Sequence, residues 1–147
     1  MSFQYRNIVV AIDGSEEADR AFKKSLSIAK RNDATLIITH VLDDRYGVVT
    51  AYAPGIIDEV EIRAKELLEK YEVEAKQAGI DNVVTFLSHG SPKVKIAKEV
   101  APKFDADLII CGATGLSAVE RILIGSVSEH IIRFAQCDVL VVRQDEH

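Results

Sequence analysis

The stretch NIVVAIDGSEEADRAF, Asn7 to Phe22, passes from an unbroken apolar run to a helical pattern through Asp13, Gly14 and Ser15. Asn7 to Ile12 is rich in β-branched residues and does not alternate, as expected for a strand covered on both faces. Asp-Gly-Ser is turn chemistry, and Ser15 is placed to cap the helix behind it. Ala18, Ala21, Phe22, Ser25, Leu26 and Ala29 then form one small or apolar stripe, closed by Lys30, Arg31 and a terminating Asn32. A doubly covered strand followed by an amphipathic helix is the repeating unit of a parallel sheet.

The unit recurs along the chain. Further apolar runs stand at Ala34 to Leu42, Asn82 to Leu87, Asp107 to Cys111 and Asp138 to Val142. Between the second and third, Val60, Ala64, Leu67, Leu68, Tyr71, Ala75 and Ala78 mark a helix stopped by Gly79. Its outer face carries Glu61/Lys65, Glu66/Lys70 and Glu72/Lys76, each pair four residues apart. A third helix opens with Ser91 as N-cap and Pro92 in the first turn, and Pro102 is expected to end or kink it near Ala101. With right-handed crossovers this alternation predicts a single doubly wound α/β domain over residues 1–147, with a five-stranded parallel sheet and helices on both faces. The connection Asp43 to Gly55 is the longest irregular one.

Composition narrows the partners. A length of 147 residues suits one domain, and 48% hydrophobic with 28% charged residues is ordinary for a globular protein. No apolar run approaches the roughly 20 residues needed to span a bilayer, so no membrane partner is expected. The N-terminal residues lack the apolar core of a signal peptide, and a cytoplasmic address is the expectation. A net charge of −5 argues against a nucleic-acid groove. Cys111 and Cys137 are too few for a disulfide framework or zinc knuckle.

Ligands of open parallel sheets bind beyond the C-terminal strand ends. A carboxylate at Asp13 could meet ribose hydroxyls or a magnesium ion, or simply build the turn. After the fourth strand, Gly112 to His130 reads GATGLSAVERILIGSVSEH. Ser117/Glu120 and Ser126/Glu129 each match a capping box, predicting a short helix from about Ala118 to Leu123 and a main helix from Val127 to about Ala135. Two helix N-termini joined by Gly112, Gly115 and Gly125 would cradle a phosphate; equally, the glycines could serve turns and the serines only cap. There is no Walker lysine and no dinucleotide G-x-G-x-x-G. His40 and His89 stand at strand ends, where packing or turn roles are the ordinary reading. Cys111 is either a buried hydrophobe or, beside a helix N-terminus, a reactive thiol.

Over nearly its whole length the sequence resembles the ATP-binding branch of the universal stress proteins, an adenine-nucleotide α-hydrolase-like group. The resemblance rests on G-x-x-G-x9-G-[S/T], matched by Gly112, Gly115, Gly125 and Ser126, with VVAIDGSEEADRA, the pair His40-Val41 and VLVVR in order. Asp138 stands where the family usually has proline. The resemblance implies a pocket in which Ala11 lines the wall, Val41 offers main-chain groups to adenine, and Asp13, beside Ser15, faces ribose or metal-bound phosphates. Gly112, Ala113, Thr114, Gly115, Leu116, Ser117 and Ala118, with Gly125, Ser126, Val127 and Ser128, would surround ribose and phosphates. It implies ATP, AMP or a related adenine nucleotide as ligand, Mg2+ through Asp13, and a homodimer through the edge strand Val139 to Val142. The expected function is an ATP-binding stress-response sensor or switch. A slow Mg-dependent hydrolase or phosphotransferase, with Arg121 within reach of the phosphates, and a nucleotide-free interaction protein are the alternatives.

Overall fold

In the computed structural model, which describes residues 4–43, 54–113 and 125–143, with only the backbone of 54–58, five parallel strands stand in the order β3-β2-β1-β4-β5. They are β1 (Asn7–Ala11), β2 (Thr35–Asp43), β3 (Val83–Gly90), β4 (Leu108–Gly112) and β5 (Asp138–Val142). Helices α1 (Glu16–Asn32) and α2 (Pro54–Gln77) follow β1 and β2. Helix α3, residues 92–103, follows β3, and α4 (Ser126–Phe134) lies between β4 and β5. The predicted doubly wound α/β sheet is therefore present.

Alternate residues of the central strands feed two cores. Ile8, Val10, Leu36, Ile38, Leu108 and Ile110 pack with Phe22 of α1 and Tyr71 of α2. Val9, Ile37, Ile109 and Cys111 pack on the other face with Ile96 and Val100 of α3 and Ile131 of α4. Because both faces are covered, the strands read as continuous apolar runs, and each fully buried Ile contributes roughly 1.5–3 kcal/mol of transfer free energy. Helices α1 and α2 are clasped above the first core. The Phe22 and Tyr71 rings lie 4.4 Å apart at 55°, Tyr71 donates its hydroxyl to Asp19 at 2.9 Å, and Lys23 meets Glu74 at 2.9 Å. Burial above all, then the Asp19 carboxylate, raises the Tyr71 pKa well above the ordinary phenol value.

Several boundaries differ from the sequence expectation. Strand β3 does not end at Leu87; Ser88, His89 and Gly90 continue it by pairing with Val41, Leu42 and Asp43 of the long β2. Helix α1 ends at Asn32, but the left-handed residue that turns the chain is Asp33, at φ 53°. Asn32 instead uses its amide to accept from Tyr5 N–H and donate to the Ile28 carbonyl. Ser91 is the N-cap of α3, yet makes no side-chain cap bond; its carbonyl accepts from the N–H groups of Val94 and Lys95. Helix α3 does not stop at Ala101 but ends at Lys103, one residue beyond Pro102. A π-turn at Ile96–Val100 lies immediately before it, closed by Ala101 N–H to the Ile96 carbonyl. Widening that turn accommodates a ring that would otherwise press on the preceding carbonyls. On α2, Glu72 reaches Lys76 at 3.6 Å, whereas Glu61 turns to His89 at 2.8 Å. The expected short helix near 118–123 and most of the connection after Asp43 lie outside the described residues.

Candidate functional site

Strand order reverses between β1 and β4: the chain builds outward through β2 and β3, then returns to place β4 on the other side of β1. At such a switch point the loops leaving two neighbouring strands diverge and leave a crevice beyond the strand ends. Ala11, Asp13 and Ser15 leave β1 on one side of this point, and Gly112 and Ala113 leave β4 on the other. Val41 stands near the end of β2, 6% exposed, paired with Ser88. Ala11 is half-buried at the end of β1.

The two helix N-termini here are built differently. At α1 the local chemistry is complete: Ser15 Oγ accepts from Ala18 N–H at 3.1 Å, and Asp13 Oδ1 accepts from both Ser15 N–H and Ser15 Oγ–H. Asp13 is thus a turn builder, while its other oxygen has no partner among the described residues and its side chain is exposed. Three acids, Glu16, Glu17 and Asp19, already complement the positive end of the α1 dipole.

At α4 the expected capping box is absent. The helix starts one residue early, so Ser126 is its first helical residue and Gly125 occupies the N-cap, extended at φ −65° and ψ 162°. Glycine has no side-chain oxygen to offer, and no side chain caps this end. Glu129, the intended partner of Ser126, instead accepts from Arg133 at 3.1 Å. The first bonded N–H is that of Glu129, to the Gly125 carbonyl, which leaves the N–H groups of Ser126, Val127 and Ser128 ahead of the helical ladder. The physical reason for the shift is anchoring. Gly125 N–H donates to the Ala113 carbonyl at 2.7 Å, Ala113 N–H to Val142, and Ser128 Oγ–H to the Gly112 carbonyl. These bonds fix the helix start on β4 regardless of which serine could cap it. Ser128 therefore has a structural use for its hydroxyl, and only its main chain is free for a ligand.

Gly112 itself answers to packing. A Cβ there would meet Glu17 Cβ at 2.9 Å and the Glu17 backbone carbon and oxygen at 3.0 Å. The glycine lets the first turn of α1 press on the end of β4 and so sets how closely the two loops approach. Glu17, 7% exposed and ion-paired with Arg20, is the neighbour that sequence reading missed. Nothing local marks it, because the contact joins residues far apart in the chain.

The remaining candidates are accounted for. His40 donates Nδ1–H to the Ile12 carbonyl at 2.8 Å, and His89 donates Nε2–H to Glu61. The reactive-thiol reading of Cys111 is overturned: the side chain is 4% exposed, and burial pushes its pKa up to about 11, the Ser128 hydroxyl offsetting this only in part. The folded chain therefore holds this proton where the unfolded chain releases it. Stability associated with Cys111 is complete below the ordinary thiol pKa and is lost as pH rises from about 9 to 11, by roughly 2–3 kcal/mol. Urea unfolding across that window should lose less stability in Cys111→Ala than in the parent; equal slopes would disprove the assignment.

Thr114, Gly115, Leu116, Ser117 and Ala118 lie outside the described residues, as does Arg121. Among the described residues no group of three or more His, Cys, Asp or Glu forms a metal cluster, and a magnesium ion held by Asp13 would take its other ligands from phosphates and water. The α4 N-terminus, capped by no side chain and led by Gly125, is chemically suited to receive a phosphate. A separate open groove of about 660 Å³, lined in part by Tyr5, Arg31 and Asp138, lies at the opposite ends of the strands and shares none of these residues. No helix among the described residues is long and apolar enough to cross a membrane.

Comparison with known proteins agrees with this architecture. The model of the universal stress protein family matches residues 4–143. A Staphylococcus haemolyticus relative named as a universal stress protein is 48% identical over 143 residues, covering 97% of this chain and 87% of its own. The solved universal stress protein UspA of Lactobacillus plantarum superposes with a TM-score of 0.85 at 29% identity, over 97% of this chain and all 100% of the other. A universal stress protein solved in complex with cAMP gives a TM-score of 0.69 at 29% identity, covering 95% and 98% of the two chains.

Proposed function

Because this chain belongs to the universal stress protein family, we propose that it binds an adenine nucleotide across the C-terminal ends of β2, β1 and β4 and serves as a nucleotide-dependent switch in a stress response. The observation that carries this reading is the α4 N-terminus. It lies beside the switch point, its N-cap is a glycine, and its leading N–H groups have no side-chain cap, which is the arrangement that receives a phosphate. The solved relative in complex with cAMP supports an adenine nucleotide in this fold.

In this reading the N–H groups of Ser126, Val127 and Ser128 hold phosphate, with the segment Gly112 to Ala118 around ribose and phosphates. Asp13 turns its free oxygen to ribose hydroxyls or to Mg2+ on the phosphates, Ser15 holds Asp13 in that orientation, and Val41 and Ala11 contact adenine. ATP is the preferred ligand on the spacing Gly112, Gly115, Gly125-Ser126. Binding rather than turnover is the role, since His40 and His89 both donate to internal acceptors. The protein works in the cytoplasm as a homodimer. Val139, Leu140 and Val141 of edge strand β5 are only half-buried although apolar, and such an edge favours pairing with a second copy.

Isothermal titration with Mg-ATP tests the site. Gly125 has a φ that any residue adopts, so Gly125→Val should fold while its side chain obstructs the approach to α4. Binding should weaken by at least about tenfold, equivalent to roughly 1.4 kcal/mol. No saturable heat with the parent, or equal affinity in folded Gly125→Val, would sink the assignment. Multiple turnovers of labelled ATP that disappear in Asp13→Ala would replace the switch with a hydrolase.

A further inference from the structure

Helix α3 is one of the basic stretches of an acidic chain, and it packs beside α4. Residues 92–103 carry Lys93, Lys95, Lys98 and Lys103 against a single acid, Glu99, in a protein of net charge −5. Lys95 is neutralised by Glu99 at 2.6 Å. Lys93 and Lys98 have no ion-pair partner among the described residues, and both are exposed. Lys98 belongs to the π-turn, and its ammonium lies 4.5 Å from the centroid of the Phe134 ring. Phe134 is 43% exposed, an uncommon state for phenylalanine, and its ring lies 4.4 Å from that of His130, tilted by 38°. One turn before Lys98, Val94 is 40% exposed. Burial, then the charges of Lys98, Lys93 and Arg133, lower the His130 pKa.

We infer that the exposed Phe134 ring, with Lys98 over it and Lys93 exposed on the same helix as Lys98, docks an acidic segment of a partner protein, with carboxylates on the lysines and an apolar side chain against the ring. Charge complementarity selects the occupant. Two unpaired lysines match a short segment with a few carboxylates, whereas a nucleic acid gains affinity from many phosphate contacts and would be repelled by the overall net charge. The aromatic centre supplies the desolvated anchor that interfaces favour, and the lysines supply orientation and on-rate. This inference does not depend on the nucleotide reading, since none of its residues contributes to the crevice.

The test presents an array of short random peptides to the full chain, and then measures fluorescence anisotropy with the best-bound peptide. Enrichment of Asp and Glu around an apolar residue is expected, with affinity falling as salt rises. Lys93→Glu/Lys98→Glu and, separately, Phe134→Ala should each weaken binding by about tenfold or more while circular dichroism and the urea midpoint stay near the parent values. The inference fails if acidic peptides are not enriched or if both variants bind them as the parent does. It fails equally if a single-stranded oligonucleotide or a phosphatidylglycerol vesicle binds this face more tightly than any peptide, or if the only occupant found is a second copy of the chain.

Discussion

Gly112→Ala is expected to unfold at a lower urea concentration than the parent, with a loss of about 1–3 kcal/mol, and to lose nucleotide affinity with it. A methyl group at this position would stand 2.9 Å from Glu17 Cβ and 3.0 Å from the Glu17 carbonyl carbon and oxygen. Two of those three atoms are backbone, so the obstruction cannot be relieved by swinging a side chain aside. Either α1 lifts from β4 or β4 bends at its last residue. Both movements disturb the crevice, because Gly112 also supplies the carbonyl that Ser128 holds at the start of α4. A double variant sharpens the result: Glu17→Ala keeps Cβ and backbone, and so should not restore stability to Gly112→Ala. Rescue by Glu17→Ala, or an unchanged urea midpoint in Gly112→Ala, would show that the close approach of α1 to β4 is not what the glycine is for.

Phe22→Ala should be the most damaging single truncation on the α1 side of the sheet, by about 3–5 kcal/mol in urea unfolding. The ring is 0% exposed, lies among Ile8, Val10, Leu36 and Ile110, and supports Tyr71 across the α1–α2 contact. Its removal leaves a cavity and also a tilted ring on α2 without its partner. Tyr71→Phe separates the two contributions, since it keeps the ring contact and deletes only the bond to Asp19. That variant should lose about 0.5–1.5 kcal/mol, the usual net effect of one hydrogen bond. A loss in Phe22→Ala no larger than in Tyr71→Phe would mean that the first core is far more deformable than its burial implies.

The sheet was legible because its information is local. Each central strand is buried on both sides, so β1, β2 and β4 appear as short β-branched apolar runs, told from buried helix by their length and by the turn residues that bound them. The polar end of β3 was not legible: Ser88, His89 and Gly90 resemble a loop, and only the extra length of β2 gives them a pairing partner. Helix starts failed in the same manner. Ser126/Glu129 satisfies the capping-box pattern, but bonds from Gly125 to Ala113 and from Ser128 to Gly112 fix the first turn one residue earlier. Pro102 reads as a stop for α3 because a sequence does not display the wider turn that absorbs it. At the candidate site, the spacing of Gly112 and Gly125 marked the loop, whereas the steric reason for Gly112 rests on Glu17, distant in the chain. Asp13 carried two readings in the sequence, and its turn role is seen in the bonds to Ser15.

The π-turn of α3 also sets a rule about register. A π-turn is a stretch of helix that carries one residue beyond what its span requires, and the widened turn takes up that residue so that the turns on either side keep their phase. Deleting one residue within Ile96–Val100 would restore a regular helix without breaking the chain's path to β4. Because the wide turn absorbs that residue locally, the turns on either side should keep their faces, whereas the same deletion elsewhere in the helix would rotate them by about 100° relative to one another. The place along α3 where a change of length by one residue can be absorbed is therefore Ile96–Val100, and a deletion outside it would re-aim one part of the helix against the other.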